Sequence, residues 1–139
     1  GPDKEMLVNL IKEKGLDDHA TLFDFTKEPF YVFERCNVIA LPSYKEGLPN
    51  VLLEALAMEK PCVASRIMGC PEVVRDGITG YCFECGNVPE IADSIAKIKA
   101  LDADALAAMA AAGKKLVFEE HDKAKQFEKI LEVIQAKAC

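Results

Sequence analysis

The chain has 139 residues, half of them hydrophobic and 29% charged, which fits one soluble globular domain and is short of two. Its net charge of −6 argues against nucleic acid and anionic membranes as partners, because both require clusters of Lys and Arg. No apolar run approaches the ~20 residues of a membrane-spanning helix. The sequence also shows no basic segment followed by an apolar one, which is the pattern of a secretory signal.

The amino-terminal third predicts two helices with a short strand between them. Residues 3–14 have the spacing of an amphipathic helix, and Gly15 fits the position just after its end. Thr21–Phe25 predicts a strand, and Pro29 is expected at the first position of a short helix. The phenylalanines of this region are most simply interpreted as core residues: Phe23, Phe25, Phe30 and Phe33.

Strands and helices alternate in the middle of the chain. Val38–Leu41 predicts a strand buried on both faces, Pro49 opens a helix, and Cys62–Ser65 and Tyr81–Cys85 predict two further strands. Such alternation is typical of an α/β domain with a Rossmann-like parallel sheet and helices on both faces.

The last part of the chain is predicted to be helical. Asn87 with Glu90 resembles a capping box at the start of one helix, and residues 102–118 predict a second. A final amphipathic helix is predicted from its apolar residues, which are Ala124, Phe127, Ile130, Leu131 and Ile134. No repeat or linker interrupts the chain, so residues 1–139 are interpreted as a single domain.

The cysteines do not indicate a metal site. Cys82 and Cys85 form a C-x-x-C motif, but a second pair of ligands at similar spacing is absent. Side chains alternate along a strand, so the two thiols are expected on opposite faces. We therefore expect no bound zinc, and the lack of an export signal indicates a reducing compartment.

Two glycine-containing loops are expected at the edge of the sheet where parallel α/β folds bind ligands. Loop one, residues 43–48, leads from the strand Val38–Leu41 to the helix at Pro49. Loop two, residues 66–70, follows the strand Cys62–Ser65. The amino terminus of the helix at Pro49 carries unsatisfied N–H groups and a positive dipole end, which together favour a phosphate.

Two carboxylates flank this helix terminus. Glu46 precedes it, and Glu54 is the one charge between Glu46 and Glu59 in a run that is apolar from Val51 onwards. An ordinary solvent-facing Glu54 remains an alternative, although the apolar residues leave little solvent face on this helix. Carboxylates repel phosphate and bind hydroxyl pairs, so phosphates on the helix terminus with hydroxyls on either side suggest a nucleotide sugar.

Residues 41–83 resemble the carboxy-terminal half of the retaining GT-B glycosyltransferases, the glycosyl transferases group 1 family. The resemblance rests on motif pieces that occur in the family's order: Pro42-Ser43, Glu46-Gly47, Glu54-Ala55, Pro61, Gly69 with Pro71-Glu72, Gly77 and Gly80. Glu46 and Glu54 stand in the family's E-x7-E arrangement. Weaker similarity extends over the whole chain.

The resemblance implies a donor site for a nucleoside-diphosphate sugar, built from Glu46, Gly47, Leu48, Pro49, Glu54 and Gly69. Glu46 would contact the hydroxyls of the transferred sugar and act in catalysis, and Glu54 would contact the ribose. Gly47 and Leu48 would bring backbone N–H groups to the diphosphate, and Gly69 would let loop two approach closely. The implied reaction is hexosyl transfer with retention, as in polysaccharide biosynthesis, without a metal or another cofactor.

Three residues depart from the family's pattern. Asn37 stands where Asp is usual, and Met68 replaces the first Gly of a pair, so loop two is expected to crowd the donor pocket. Glu59 replaces the Gly after the helix and costs roughly 1 kcal/mol if its backbone is left-handed. Lys45 and Arg66 are the nearest basic residues to the site and are interpreted as solvated surface charges.

The resemblance also implies parts that this sequence lacks: the amino-terminal acceptor domain and the first two strands of the carboxy-terminal one. Thr21–Phe25 would then be strand three and Val38–Leu41 strand four of the 3-2-1-4-5-6 order, each with an unpaired edge. We expect self-association or a rearranged sheet, and no transferase activity from this segment alone. A cytoplasmic location is expected, with any membrane contact made through the amino-terminal domain.

Two functions besides the transferase remain open. A nucleotide-sugar epimerase shares the fold, but it would need further acid and base residues near the pocket. A non-catalytic nucleotide-sugar-binding or interaction module would have the same loops without the chemistry.

Overall fold

The computed structural model describes residues 2–122, and the helix predicted from residues 124–134 lies outside them. In chain order the elements are α1 Lys4–Glu13, α2 Pro29–Glu34, β1 Ile39–Leu41, α3 Asn50–Ala57, β2 Cys62–Ser65, α4 Cys70–Val73, β3 Gly80–Phe83, α5 Val88–Lys99 and α6 Ala103–Glu120. None of the helices in this part of the chain is long and apolar enough to cross a membrane.

The three strands form one parallel sheet in the order β1-β2-β3. Ile39 lies opposite Cys62, and Cys62 lies opposite Gly80, so the strands run in register from one end of the sheet to the other. This topology confirms the predicted α/β fold, in which every crossover between strands contains a helix.

Alternate side chains of β2 and β3 face two different cores. One core holds β2 and β3 side chains together with residues of α3 and α4: Cys62, Ala64, Cys82, Leu52, Leu56, Cys70 and Val73. The other holds the opposite-facing side chains together with residues of α5 and α6: Val63, Phe83, Ile98 and Met109. Helices therefore cover both faces of the sheet, as the sequence predicts.

The strand predicted at Thr21–Phe25 does not form. Phe23 and Phe25 are 77% and 89% exposed, Phe30 is also exposed, and only Phe33 of this aromatic group belongs to the core. A strand needs a neighbour to pair its backbone groups, and β1 pairs within residues 2–122 only with β2. The prediction was wrong because a short apolar segment does not form a strand without a pairing partner.

β1 is less buried than predicted. Ile39 and Leu41 are half-buried, but Ala40 is exposed. Ala40 lies opposite Val63, which is covered on the face that packs on α5, so the cover on this face stops short of the edge strand. The open edge of β1 is consistent with the expected self-association, which stays a prediction.

β3 begins and ends earlier than predicted. It covers Gly80–Phe83, and Cys85 lies beyond it on the surface. The carboxylate of Glu90 accepts the backbone N–H of Glu84 at 2.7 Å, which turns the chain into α5 directly after the strand. The Asn87 side chain accepts a hydrogen bond from the backbone N–H of Glu90 at 3.3 Å, which confirms half of the predicted capping box. The other half does not form, because the Glu90 carboxylate accepts hydrogen bonds from the Glu84 backbone N–H and the Asn87 side-chain amide instead of the Asn87 backbone.

The end of α3 places a glutamate in the left-handed region. Glu59 has φ +60°, and its N–H donates to Leu56 O while the N–H of Lys60 donates to Ala55 O. Glycine is preferred at such a helix end because a Cβ atom is strained there. The Glu59 side chain accepts a hydrogen bond from Lys114 Nζ at 3.0 Å, which ties the strained position to α6.

We predict that Glu59→Gly is more stable than Glu59→Ala by about 1 kcal/mol in the free energy of unfolding. Both variants lose the ion pair with Lys114 and only the alanine keeps a Cβ atom, so their difference isolates the backbone conformation. Urea denaturation followed by circular dichroism measures it. Equal stability of the two variants would show that Glu59 carries no backbone strain.

Candidate functional site

Three loops meet at the carboxyl edge of the sheet because the strands are parallel and in register. Loop one leaves β1, loop two leaves β2, and a third loop, residues 84–87, leaves β3. The predicted donor-site residues lie on the first two loops and on α3.

Loops one and two touch through their backbones. Gly69 has φ +87°, and a Cβ atom placed on it would lie 1.7 Å from Gly47 O and 3.4 Å from Pro49 Cδ. No side chain fits in this contact. Pro49 is buried and precedes the first residue of α3, so the two loops and the start of α3 form one packed unit.

The third loop packs against loop one. Cys85 Sγ donates to Ser43 O at 3.7 Å, and a Cβ atom on Gly86 would lie 4.0 Å from the hydroxyl oxygen of Tyr44. The sequence analysis assigned this loop no role. Its position directly after a strand, at the ligand-binding edge of the sheet, is the feature that could have identified it.

Glu46 is held within loop one. Its side chain is half-buried, and its Oε1 accepts a hydrogen bond from Ser43 Oγ at 2.7 Å. Burial, and secondarily the negative charge of Glu46, raise the pKa of the Cys70 thiol on loop two. The carboxylate of loop one and the end of loop two are therefore close enough to interact electrostatically.

Glu54 is half-buried in the middle of α3, where its neighbours Leu52, Ala55 and Leu56 belong to the core. Its side chain makes no hydrogen bond or ion pair with any residue from 2 to 122. A half-buried carboxylate without a protein partner gains from a ligand hydroxyl. This environment disfavours the ordinary solvent-facing glutamate.

Unpaired backbone donors surround the start of α3. The N–H groups of Gly47, Leu48, Asn50 and Val51 make no hydrogen bond within the part of the chain that the structure describes. Leu52 N and Leu53 N instead donate to Pro49 O. The free amides and the positive end of the helix dipole suit an anion.

The two basic residues of the loops differ in their surroundings. Lys45 is exposed, as predicted. Arg66 is also exposed, but it is not simply solvated: its guanidinium pairs with Asp76 at 2.8 Å and with Glu84 at 3.4 Å. Sequence reasoning missed this pairing because the three residues are separated along the chain. The pairing could have been inferred only from position, since Arg66 follows a predicted strand, Glu84 lies near the end of another and Asp76 lies in the Asp76-Gly77 turn.

Neither the exposed Met68 nor the cleft beside α2 changes the assignment of the site. Met68 is exposed on loop two, outside both cores, and the expected crowding of the donor pocket stays a prediction. A cleft of about 460 Å³ lies elsewhere, beside Phe23, Tyr31 and Arg35, and no predicted site residue lines it.

The cysteines differ in burial rather than grouping around a metal. Cys62, Cys70 and Cys82 are buried and Cys85 is exposed. Residues 2–122 contain no cluster of three or more His, Cys, Asp or Glu side chains that could hold a metal ion. The absence of zinc from the purified protein stays a prediction, which elemental analysis tests.

We predict that iodoacetamide alkylates Cys85 much faster than Cys62 or Cys82 at pH 8. Burial raises the pKa of Cys62 to about 12 and is the main cause that raises the pKa of Cys82 to about 11, so both remain protonated at this pH. The thiolate is the reacting species. Peptide mass spectrometry over time measures the three rates, and equal rates in native protein would contradict the buried placement.

The family model for glycosyl transferases group 1 matches residues 1–116 of this chain. The chain belongs to this family. The match covers both loops, all three strands and most of α6.

Curated relatives agree with the family. The D-inositol 3-phosphate glycosyltransferase of Mycolicibacterium paratuberculosis (strain ATCC BAA-968 / K-10) is 35% identical over 108 residues, which are 76% of this chain and 24% of the relative. The N-acetyl-alpha-D-glucosaminyl L-malate synthase of Bacillus anthracis is 32% identical over 93 residues, which are 67% of this chain and 24% of the relative. The chain spans about a quarter of the length of these relatives.

Solved structures confirm the GT-B fold. Anabaena HepE, crystallised in complex with UDP, superposes with a TM-score of 0.86 at 23% identity, over 95% of this chain and 36% of HepE. The carboxy-terminal domain of LpcC, a glycosyl transferase group 1 family protein of Francisella tularensis, gives a TM-score of 0.73 at 24% identity, over 86% and 63% of the two chains. The Rossmann-like carboxy-terminal domain inferred from residues 41–83 is therefore confirmed.

Proposed function

We propose that this chain is the donor-binding part of a glycosyltransferase that moves a hexosyl group from a nucleoside-diphosphate sugar to an acceptor with retention of configuration. The observation that carries the proposal is the order along loop one and α3, in which the half-buried Glu46 is followed by the free amides and then by the half-buried Glu54. Along the chain, a segment that suits an anion thus lies between two carboxylates that suit hydroxyls.

The hydrogen-bond donors and acceptors of the site are complementary to those of such a donor. The diphosphate accepts hydrogen bonds, which the free N–H groups of Gly47, Leu48, Asn50 and Val51 donate. The ribose and the transferred sugar donate hydrogen bonds through their hydroxyls, which carboxylates accept. In the proposal Glu54 takes the ribose hydroxyls and Glu46 takes those of the transferred sugar, while Gly69 closes loop two over the diphosphate.

Glu46 also suits the chemical step. Positive charge develops on the transferred sugar as its bond to the diphosphate breaks, and a nearby carboxylate stabilises it. The hydrogen bond from Ser43 Oγ fixes one oxygen of Glu46 and leaves the other available to the sugar. The amides of loop one and α3 stabilise the departing diphosphate in the same step, and the proposed reaction uses no bound metal or cofactor.

The relatives support a transferase more than an epimerase or a non-catalytic module. One of the two curated relatives above is named a glycosyltransferase and the other a glucosaminyl malate synthase, and HepE has been crystallised with UDP and with UDP-glucose. The capsular polysaccharide biosynthesis glycosyltransferase CapM of Staphylococcus aureus, 31% identical over 80 residues, supports a role in polysaccharide assembly.

A panel of UDP, ADP and GDP and their sugars, tested by thermal shift on the full-length protein, identifies the donor. Transfer of a labelled sugar to an added acceptor then tests the reaction. Binding without transfer or hydrolysis would favour the non-catalytic module, and interconversion of the bound sugar would favour the epimerase.

We predict that Glu54→Ala weakens binding of the preferred nucleoside diphosphate by about 1.5–3 kcal/mol, about 10- to 150-fold, because a hydrogen bond to a charged group is lost. Affinity for the free base should change little. Calorimetry measures both, with Asp93→Ala as a control that removes an exposed carboxylate from α5. Unchanged nucleoside-diphosphate affinity in Glu54→Ala would disprove its role.

We predict that Glu46→Gln lowers turnover more than it weakens binding of the bare nucleotide. The amide keeps the shape of the side chain and loses the negative charge that faces the developing positive charge. Steady-state kinetics and calorimetry on the same preparation separate the two effects. Turnover at the wild-type rate would show that Glu46 has no catalytic role.

A further inference from the structure

Three charged side chains form a cluster beside the donor site. Arg66 is the first residue after β2, Glu84 is the first after β3, and Asp76 lies in the turn between α4 and β3. Arg66 Nη2 donates to Asp76 Oδ2 at 2.8 Å, and its Nε lies 3.4 Å from Glu84 Oε1. The guanidinium is thus shared between two carboxylates.

The cluster also bonds the backbone at the end of β3. Cys82 N donates to Asp76 Oδ1 at 2.6 Å, while Arg66 Nη2 donates to Cys82 O at 3.2 Å. Arg66 N donates to Phe83 O at 2.7 Å. Asp76 and Arg66 therefore bind the N–H and the carbonyl of Cys82 in β3, and Arg66 connects this residue to the start of loop two.

The electrostatics of the cluster agree with its geometry. Burial alone would raise the pKa of Asp76, but the hydrogen bond from Cys82 N and the guanidinium of Arg66 outweigh it and lower this pKa. The hydrogen bond to Asp76 raises the pKa of Arg66. The guanidinium, already shared by two carboxylates, is poorly placed to neutralise a diphosphate as well.

Loop two depends on where Arg66 is held. Three residues further on, Gly69 meets Gly47 O with no space for even a Cβ atom. Because this segment is short, a shift of Arg66 would displace the contact between the loops. The free amides of loop one and α3 lie beside that contact.

We propose that Arg66, Asp76 and Glu84 form an ionic brace that positions loop two for the sugar–diphosphate part of the donor. Arg66 and Asp76 are positioning residues and do not contact the donor. The inference rests on the proposed function, since it assigns the brace to that same site. This role differs from direct binding of the diphosphate by Arg66, which is the usual expectation for an arginine near a phosphate site.

The test compares Asp76→Asn with the wild-type full-length protein in binding to UDP-glucose and to UMP, with the corresponding ADP or GDP compounds if the panel selects another base. The variant keeps the side-chain shape and removes the negative charge that binds the Cys82 N–H and the Arg66 guanidinium. We expect affinity for the nucleoside-diphosphate sugar to fall about tenfold, within the range for residues that act through others. Affinity for the monophosphate should change less than about twofold, because the ribose contact at Glu54 is untouched.

A role for Arg66 as a direct phosphate ligand predicts the opposite sign. Removing the Asp76 charge would then free the guanidinium, and affinity for the diphosphate sugar would stay the same or rise. Either result overturns the brace. A role in stability alone would lower the melting temperature and leave the ratio of the two affinities unchanged, which also overturns it.

Two further variants complete the test. Lys114→Gln is the control, because it removes the Lys114–Glu59 ion pair at the carboxyl end of α3, away from the loops. The side chains of this pair are 48% and 52% exposed, similar to the 44% and 48% of Arg66 and Asp76, and both affinities should stay unchanged. If Asp76→Asn does not fold, Glu84→Gln carries the test, with a smaller fall in sugar–diphosphate affinity expected and no change overturning the brace. Failure of the wild-type protein to bind any nucleotide would instead disprove the proposed function.

Discussion

The contact between Gly47 and Gly69 is the constraint on which the candidate site depends. Two loops that leave different strands meet backbone to backbone, and the space between them excludes even a Cβ atom. This contact is possible because β1 and β2 are parallel and in register, so both loops leave the sheet at one edge. The start of α3 joins the same unit through Pro49, which places its free amides beside the contact.

Features set by local sequence were predictable. Gly15 and Asn87 mark helix boundaries through their own backbone or side-chain chemistry, and the structure places them where the sequence predicts. Glu59 was recognisable because it stands where the family has a Gly after the helix, and its backbone is left-handed in the structure. The parallel sheet was predictable because strands and helices alternate, and a parallel pair needs such crossovers.

Features that depend on distant partners were not predictable in the same way. Thr21–Phe25 has the composition of a strand but lacks a pairing neighbour within residues 2–122, so it forms no strand and is exposed. Ala40 has the neighbours of a buried strand residue, yet the cover over β2 does not reach it. Arg66 looked like a solvated charge because its two carboxylates lie in other elements. In each case the residues of the segment do not specify the distant partners, and those partners decide its structure.

The proposed binding of a diphosphate requires an acidic chain to supply positive potential without a cluster of basic residues. The net charge is −6, two carboxylates flank the site, and the arginine at its edge is shared by Asp76 and Glu84. The amides at the start of α3 meet this need because they carry partial positive charge without a counterion of their own. Because Arg66 is paired with carboxylates, the proposed site would distinguish phosphate from hydroxyl by position along loop one and α3 rather than by net charge. In the proposed binding mode Glu46 and Glu54 do not repel the diphosphate directly, since each would face a hydroxyl-bearing part of the donor instead.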